Sequence, residues 1–562
     1  MKLPKSAVLL LGSLLLTSLA FGVAPEAVHF ESFRYEGNDS VFEQPLAQGE
    51  YQNPIIAGFY PDPSICRVGE HYYLVNSSFS YFPGIPIFES TDLVNWKQIG
   101  NVLDRPSQLN TSGLRISQGI YAPTIRYHEG IFYLICTQIG GKGNFIVTAT
   151  DPAGPWSDPI WLPELNGIDP SLFFDDDGKV YIVHNGNPPD NEPLYSGHRA
   201  IWLWEYSLEK QAVVGEGRII INGGVDLSKE PIWIEGPHLL KRDGWYYLNC
   251  AEGGTSWDHS QVIFRTRSLD EPFVPYPDSI LTQRDLDPGR PDPVGCVGHA
   301  DFVETPDGEW WAVFLGTRPF NKVYYLTGRE TFMLPIHWTD DGWPEILSEG
   351  VPVPYQVEGP AVYREGTGKL IEKPMTGNFT SEDRFVGEKL GYEWLMLRTP
   401  SSTWYDLGTG EGIDLIPQPQ RLENREGAAY LGRRQQHMHF EASTRMQIPE
   451  SEDVIAGLAL YLTEGDHFFL GAKRADDGKA TVSLEKVKKG ETYLIDRVTI
   501  DAPVGSTIEL SVHEQAGLIT FSVADPEGEK HNLVEFGDST FLTGDGNGIF
   551  IGCTVGIHAR LD

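Results

Sequence analysis

Apolar residues in this chain fall in short runs, each closed by a Gly, Pro, Asp or Asn turn, and one arrangement of them recurs. A short apolar stretch enters a turn ending in Gly and leaves it as an aromatic strand. The stretch Tyr60-Pro61-Asp62-Pro63-Ser64-Ile65 leads to Gly69 and His71-Tyr72-Tyr73-Leu74. Ala122-Pro123-Thr124-Ile125 leads to Gly130 and Phe132-Tyr133-Leu134, and Ile168-Asp169-Pro170-Ser171-Leu172 to Gly178 and Val180-Tyr181-Ile182. Ile234-Glu235-Gly236-Pro237-His238 leads to Gly244 and Trp245-Tyr246-Tyr247-Leu248, and His299-Ala300-Asp301-Phe302 to Gly308 and Trp310-Trp311-Ala312. The turn glycines are spaced by 61, 48, 66 and 64 residues, which suits four-stranded units with loops of varying length. Helical spacing of apolar positions is absent from this stretch. The pattern predicts an all-β chain whose first domain is a five-bladed β-propeller.

The repeat stops near Pro344, and Pro and Gly become dense up to Pro374, as in a linker. Beyond it a different alternation begins. Gln436-His437-Met438-His439-Phe440-Glu441-Ala442 and Thr481-Val482-Ser483-Leu484-Glu485 alternate, and two strands flank the hairpin signal Glu514-Gln515-Ala516-Gly517. A β-sandwich is predicted there. The expected order is a signal peptide over 1–24, a polar leader over 25–50, the propeller over 51–350, a linker over 351–377 and the sandwich over 378–562.

Composition sharpens this picture. A chain of 562 residues exceeds one hydrophobic core. Its 60 Gly and 40 Pro suit many tight turns. A formal net charge of -35 repels nucleic acid and anionic membranes and leaves a neutral sugar polymer as a compatible partner. The start Met1-Lys2-Leu3-Pro4-Lys5, followed by a nearly unbroken apolar run to Phe21 and the small residues Gly22 and Ala24, reads as an export signal, which makes the expected location periplasmic or extracellular. Of five cysteines, Cys66, Cys136 and Cys250 lie inside apolar runs and are expected to be buried. No zinc spacing or disulfide framework is present.

Three of the five repeats carry an acid, Asp62, Asp169 and Glu235, at 7, 9 and 9 residues before the turn Gly. Equivalent positions of propeller blades meet near the axis, so the three are expected to converge although the chain separates them by up to 173 positions. Crowded like charges raise one another's pKa and destabilise a fold, so chemistry or a bound cation explains them better than packing does. Two carboxyls across a pocket are the equipment of glycosidic bond cleavage: one protonated to serve the leaving oxygen, the other ionised to act on water or on the sugar. The third can tune the acid.

The stretches from Asn53-Pro54 through Ile65, Gly167 through Leu172, and Glu235-Gly236-Pro237-His238 resemble glycoside hydrolase family 43, and the resemblance covers about residues 51–345. The C-terminal domain is similar to the β-sandwich attached to that family's xylosidases and arabinofuranosidases. The resemblance implies roles: Asp62 as general base, Glu235 as general acid, and Asp169 as the residue that tunes and holds Glu235. It also implies inversion of configuration. Arg329 looks like the arginine that binds substrate hydroxyls, with a plain ion pair to Glu330 or another acid as the alternative. Thr255 and His259 resemble pocket-wall residues, and Phe79 and Tyr121 its apolar walls; xylosidases of the family carry Trp where this chain has Tyr121. His299 occupies the acid's repeat position in the fifth unit, where some relatives use a His to help hold a hydrated calcium; an ordinary hydrogen-bonded His is the equal alternative. Asp175-Asp176-Asp177-Gly178 is read as an exposed turn rather than a metal loop. Gly548-Ile549-Phe550-Ile551-Gly552 resembles a loop that closes the pocket with its Phe.

The expectation is an exported, exo-acting, inverting hydrolase that removes terminal β-D-xylose or α-L-arabinofuranose from hemicellulose or its oligosaccharides. No organic cofactor is implied, and a structural calcium ion only through His299. A retaining β-fructosidase-type hydrolase and a non-catalytic carbohydrate-binding propeller are the rival readings.

Overall fold

Five strands, Ser64–Val68, Gly119–His128, Gly167–Phe174, Glu235–Arg242 and Gly295–Glu304, neighbour one another in a ring, the fifth returning to the first. Each begins a four-stranded antiparallel meander, and in the fourth a further short strand, Leu281–Thr282, pairs onto Ser260–Thr266. The protein is therefore a five-bladed β-propeller followed by a β-sandwich. These relationships come from a computed structural model that describes residues 26–366, 373–408, 410–475, 478–544 and 548–562. The expected export signal lies outside the described residues. Among the described residues the one α-helix is the short Ala361–Glu365.

The ring is closed by the segment ahead of the first blade. Asn53 pairs its side-chain amide with the backbone of Met333 in the fifth blade, donating to the carbonyl at 2.9 Å and accepting the N–H at 3.0 Å. Ile56 then bridges Thr331, so the segment runs along the last blade as an added partner.

Below the mouth of the axis, each blade gives one polar side chain to a cluster that is buried except at Arg126. Asp301 accepts both ends of the Arg126 guanidinium at 2.8 and 3.1 Å and the Ser64 hydroxyl at 2.7 Å. His238 Nδ1 lies 3.1 Å from Arg126 Nη2 and 3.1 Å from Ser171 Oγ. Blades one to five thus supply Ser64, Arg126, Ser171, His238 and Asp301. Burial raises Asp301, but Arg126, His238 and Ser64 together more than offset this and hold it at about 2.

The sandwich packs two eight-stranded sheets, and neither is wholly C-terminal. The reading of residues 25–50 as a leader is corrected: Val28–Gly37 is a central strand of one sheet, between His439–Gln447 and the short strand Ile413–Leu415. A bulge between Phe30 and Ser32 explains why its pattern was opaque. Val28 and Phe30 face the core before it and Phe33 and Tyr35 after it, so strict alternation breaks in mid-strand. The other sheet ends on Tyr81–Phe82 from the first blade, which pairs with Leu395–Leu397. One continuous apolar cluster therefore joins sandwich residues such as Tyr430 and Leu458 to blade residues such as Phe79 and Ile120. Glu50–Gln52 pairs with Gln356–Glu358 within the expected linker, pinning that segment to the propeller's edge.

All five cysteines are buried and unpaired. The turn at Asp175 is not wholly exposed, contrary to expectation: Asp175 is buried, 2.8 Å from Lys241 Nζ, and accepts the Tyr246 hydroxyl at 2.7 Å.

Candidate active site

At the same repeat position every blade carries a residue in the left-handed region: Asp62 (φ 54°), Ala122 (φ 23°), Asp169 (φ 55°), Gly236 (φ 55°) and His299 (φ 53°). Proline follows the first four. In blades two to five the inner strand slips register across this point. A kink of this kind costs a non-glycine residue about 1–3 kcal/mol, and such strain concentrates where a side chain must be re-aimed. Here it turns Asp62, Asp169 and His299 toward the axis. In the fourth blade the kink falls on Gly236, so the acid stands one residue earlier, at Glu235.

The three acids line one cavity of about 600 Å³ at the end of the axis. All three are buried. Asp62 accepts the Ser77 hydroxyl at 2.5 Å and Arg329 Nη1 at 2.8 Å, and His299 Nδ1 lies 3.9 Å from it. Ser77 Oγ in turn accepts the Ala122 N–H at 2.7 Å, which ties the second blade's kink to the first blade's acid. Burial alone would raise Asp62, but Arg329, His299 and Ser77 overcome it and hold this carboxyl below its ordinary range. Asp169 accepts the Gly236 N–H at 3.2 Å, and burial, partly offset by His299 and reinforced by the Asp62 charge, raises it to about 6. Glu235 accepts no hydrogen bond among the described residues. Burial first, then the charges of Asp169 and Asp62, push it well above its ordinary value. One cavity thus holds a carboxylate kept ionised and a carboxyl kept protonated, the division of labour an acid–base pair needs.

Of the ion-pair partners open to Arg329, Glu330 or another acid, the structure gives it another. It pairs with Asp62, while the neighbouring Glu330 is taken by Arg318 at 2.6 Å. Arg329 also reaches the Phe550 carbonyl oxygen at 3.4 Å from both Nε and Nη2. Phe550 comes from the sandwich and completes an aromatic wall: Tyr121 meets Phe79 edge-on at 5.6 Å and Phe550 edge-on at 5.9 Å between ring centroids. The Tyr121 hydroxyl donates to the Ser117 carbonyl at 2.7 Å. Such a wall offers ring faces to sugar C–H groups. Thr255 also lines the cavity. His259 does not line the cavity; it is buried behind the lining, its Nδ1 3.1 Å from the Cys296 carbonyl oxygen. Its ring packs so tightly on Gly298 that a Cβ there would come within 2.6 Å.

Sequence reasoning missed Ser77, Arg199 and Trp233. Ser77 stands in an unremarkable Asn-Ser-Ser stretch. Arg199 and Trp233 sit on loops with no repeat signature, although Trp233 lies only two residues before Glu235.

The donor set around His299 does not make a protein cage for calcium. Its nearest carboxylate, Asp62, is engaged by Arg329 and Ser77. Among the described residues, three His, Cys, Asp or Glu ligand atoms gather only at Asp525, Glu529 and His531 in the sandwich.

Comparison with known proteins agrees with this architecture. Residues 51–344 match the model for "Glycosyl hydrolases family 43", and residues 382–560 match "Beta xylosidase C-terminal Concanavalin A-like domain". A xylosidase/arabinosidase of Butyrivibrio fibrisolvens is 42% identical over 516 residues, covering 90% of this chain and 95% of that one. A non-reducing end alpha-L-arabinofuranosidase of Bacteroides ovatus is 37% identical, covering 85% of each. The crystal structure of a GH43_12 protein retrieved from a capybara gut metagenome superposes with a TM-score of 0.88 at 39% identity, covering 95% of this chain and all of that one (100%).

Proposed function

The chain belongs to glycosyl hydrolases family 43, as a hydrolase of xylosidase/arabinofuranosidase type, and on that premise we propose that it is an exported, exo-acting enzyme that inverts configuration while releasing a terminal pentose, β-D-xylose or α-L-arabinofuranose, from hemicellulose or its oligosaccharides. The observation that carries this reading is the split between Asp62, held ionised by Arg329, and Glu235, held protonated in the same cavity.

The residues then act in one displacement. Asp62 takes a proton from water as the water oxygen attacks the anomeric carbon. Glu235 gives its proton to the glycosidic oxygen as that bond breaks, and the leaving sugar departs with a free hydroxyl. Asp169 stays close enough to Glu235 for its charge to favour the protonated acid. Arg329 fixes Asp62 and offers N–H groups to the pentose hydroxyls. The wall of Phe79, Tyr121 and Phe550 supports exo action, since a pocket shut on one side admits a chain end. Neither an organic cofactor nor a cation is assigned a part. The acidic surface suits a neutral saccharide substrate and disfavours nucleic acid and anionic membranes. Both pentoses appear in the names of the relatives, and the same acids serve either.

The test is a panel of aryl β-xyloside, aryl α-arabinofuranoside and arabinosylated xylo-oligosaccharides, with proton NMR of the first-formed sugar. Release of one pentose with inverted configuration is expected. A product with the substrate's anomeric configuration would overturn the roles given to Asp62 and Glu235.

A further inference from the structure

The aromatic wall and Arg329 account for one side of the cavity, where the terminal pentose is held. The other side is built from blades three and four. Arg199 stands at the head of the strand Ala200–Ser207, and its guanidinium carbon lies 4.2 Å from the centre of the Trp233 ring. The Trp233 N–H donates to the Gly197 carbonyl at 2.8 Å, and Gly253 N–H to the Ile232 carbonyl at 2.9 Å, so loops 194–199, 231–234 and 253–256 are laced together. Gly197 and Gly254 both keep the Trp233 ring close: a Cβ on either would lie 3.5 Å from it. Ile232 continues this rim and is 38% exposed.

Arg199 is conspicuous in its company. The chain has 78 acidic and 43 basic residues, yet no carboxylate pairs with Arg199 among the described residues. Among the described residues its one side-chain hydrogen bond is from Nη1 to the neighbouring His198 carbonyl at 3.2 Å. The guanidinium sits over the Trp233 ring and lines the open cavity, with N–H groups left for a ligand. Its position relative to the acid decides what it can meet. Trp233 is two residues from Glu235, and Arg199 is near enough to favour the charged form of Glu235. Glu235 delivers its proton to the oxygen between the terminal pentose and the rest of the substrate. Whatever lies beyond Glu235, away from Arg329 and Phe79, faces the leaving group.

We propose that Arg199, laid on Trp233, is the binding site for the leaving-group sugar, taking the hydroxyl oxygens of a neutral pyranose on its free N–H groups, with Ile232 against the ring's apolar edge. This rests on the hydrolase reading above and adds to it the residues that select the substrate's second sugar. A hydrogen bond from a charged donor is worth about 1.5–3 kcal/mol, so losing it costs roughly 10- to 100-fold.

The experiment compares two substrates of the preferred pentose in wild type, Arg199→Met, Arg199→Lys and Trp233→Phe. One is a pentosyl-xylo-oligosaccharide; the other is the pentosyl fluoride, whose leaving group has no ring and needs little acid assistance. The expected result is a kcat/KM loss for Arg199→Met at least about tenfold larger on the oligosaccharide than on the fluoride, carried mostly by KM. Turnover of the fluoride also certifies folding. Arg199→Lys keeps the charge near Glu235, so it should keep the wild-type alkaline limb and still lose oligosaccharide affinity. Arg199→Met removes that charge and should move the alkaline limb up. Equal losses on both substrates, no loss on the oligosaccharide, or full rescue by Lys would overturn the proposal. A wild-type enzyme that hydrolyses neither substrate would overturn the hydrolase reading, and the subsite with it.

Discussion

Arg329 and Asp62, 267 positions apart, are joined by a 2.8 Å ion pair whose arginine also holds the backbone carbonyl of a sandwich residue, Phe550. The pair fixes the charge state of Asp62 and, through Phe550, makes that state depend on the second domain. Asp62 is buried, and burial alone would push it up. Replacing Arg329 by Met should therefore raise the pKa of Asp62. An opposite charge at this range shifts a carboxylate by about 1–3 units. Asp62 must be ionised to act on water, so the acid limb of kcat/KM should move to higher pH by an amount in that range. A pH–rate profile on an aryl pentoside reads this directly. An unmoved acid limb would mean that another group sets it.

Glu235 presents the opposite case. It has no hydrogen-bond partner among the described residues and is raised by burial and by two carboxylates. As a proton donor it works below its folded pKa, and activity falls as pH rises through that value. Glu235→Gln removes the titrating group, so the alkaline limb should disappear. General acid catalysis contributes about 10²–10⁴-fold. The kcat loss should lie in that range for a sugar leaving group and be much smaller for the pentosyl fluoride. Equal losses on both would show that the carboxyl serves binding or folding instead.

The three acids were legible because they ride on a repeat. Asp62 and Asp169 occupy the kink itself, and the Gly ruler placed Glu235 level with them although the structure sets it one residue before the kink. Their meeting on an axis follows from blade equivalence alone. Phe550 and Arg329 depended on resemblance, since nothing in the local pattern near either reveals a contact across domains. The strand Val28–Gly37 was illegible because one bulge reverses its buried face. Ser77, Arg199 and Trp233 were missed for a related reason: they act from loops, where no period marks a position. His259, read as pocket wall, stands behind the lining instead, its Nδ1 at the Cys296 carbonyl and its ring against Gly298.

Gly236 tests how tightly the kink is constrained. It has φ of +55°, and a Cβ there would stand 3.0 Å from the His299 ring. Its N–H also serves Asp169. Gly236→Ala meets a left-handed backbone that costs an L-residue about 1–2 kcal/mol. It must also displace His299, whose Nδ1 lies 3.9 Å from Asp62. A modest fall in melting temperature with a larger fall in kcat is expected, measured by thermal denaturation and by kinetics at saturating substrate. A variant with wild-type kcat would show that His299 can move without disturbing Asp62.

The five-blade cluster makes a separate claim about what holds the ring. Asp301→Asn keeps the shape of the side chain but leaves the half-buried Arg126 guanidinium without its counter-charge. Breaking a fully buried pair from one side costs about 3–5 kcal/mol, and the partial exposure of Arg126 puts this one at or below the lower end. Removing both charges, as in Asp301→Asn with Arg126→Met, should recover part of that loss, since the stranded charge is gone. The pH dependence has a fixed sign. Asp301 is depressed in the fold to about 2, so its stabilisation is present above the unfolded carboxylate value and is lost as pH falls through about 2. The gap in melting temperature between wild type and Asp301→Asn should therefore be full at neutral pH and shrink below about pH 4, where the unfolded carboxyl begins to protonate. Two domains share this chain, so the transition to follow is the one that coincides with loss of activity. A double variant no more stable than Asp301→Asn would show that shape, and not the unpaired charge, is what the axis requires.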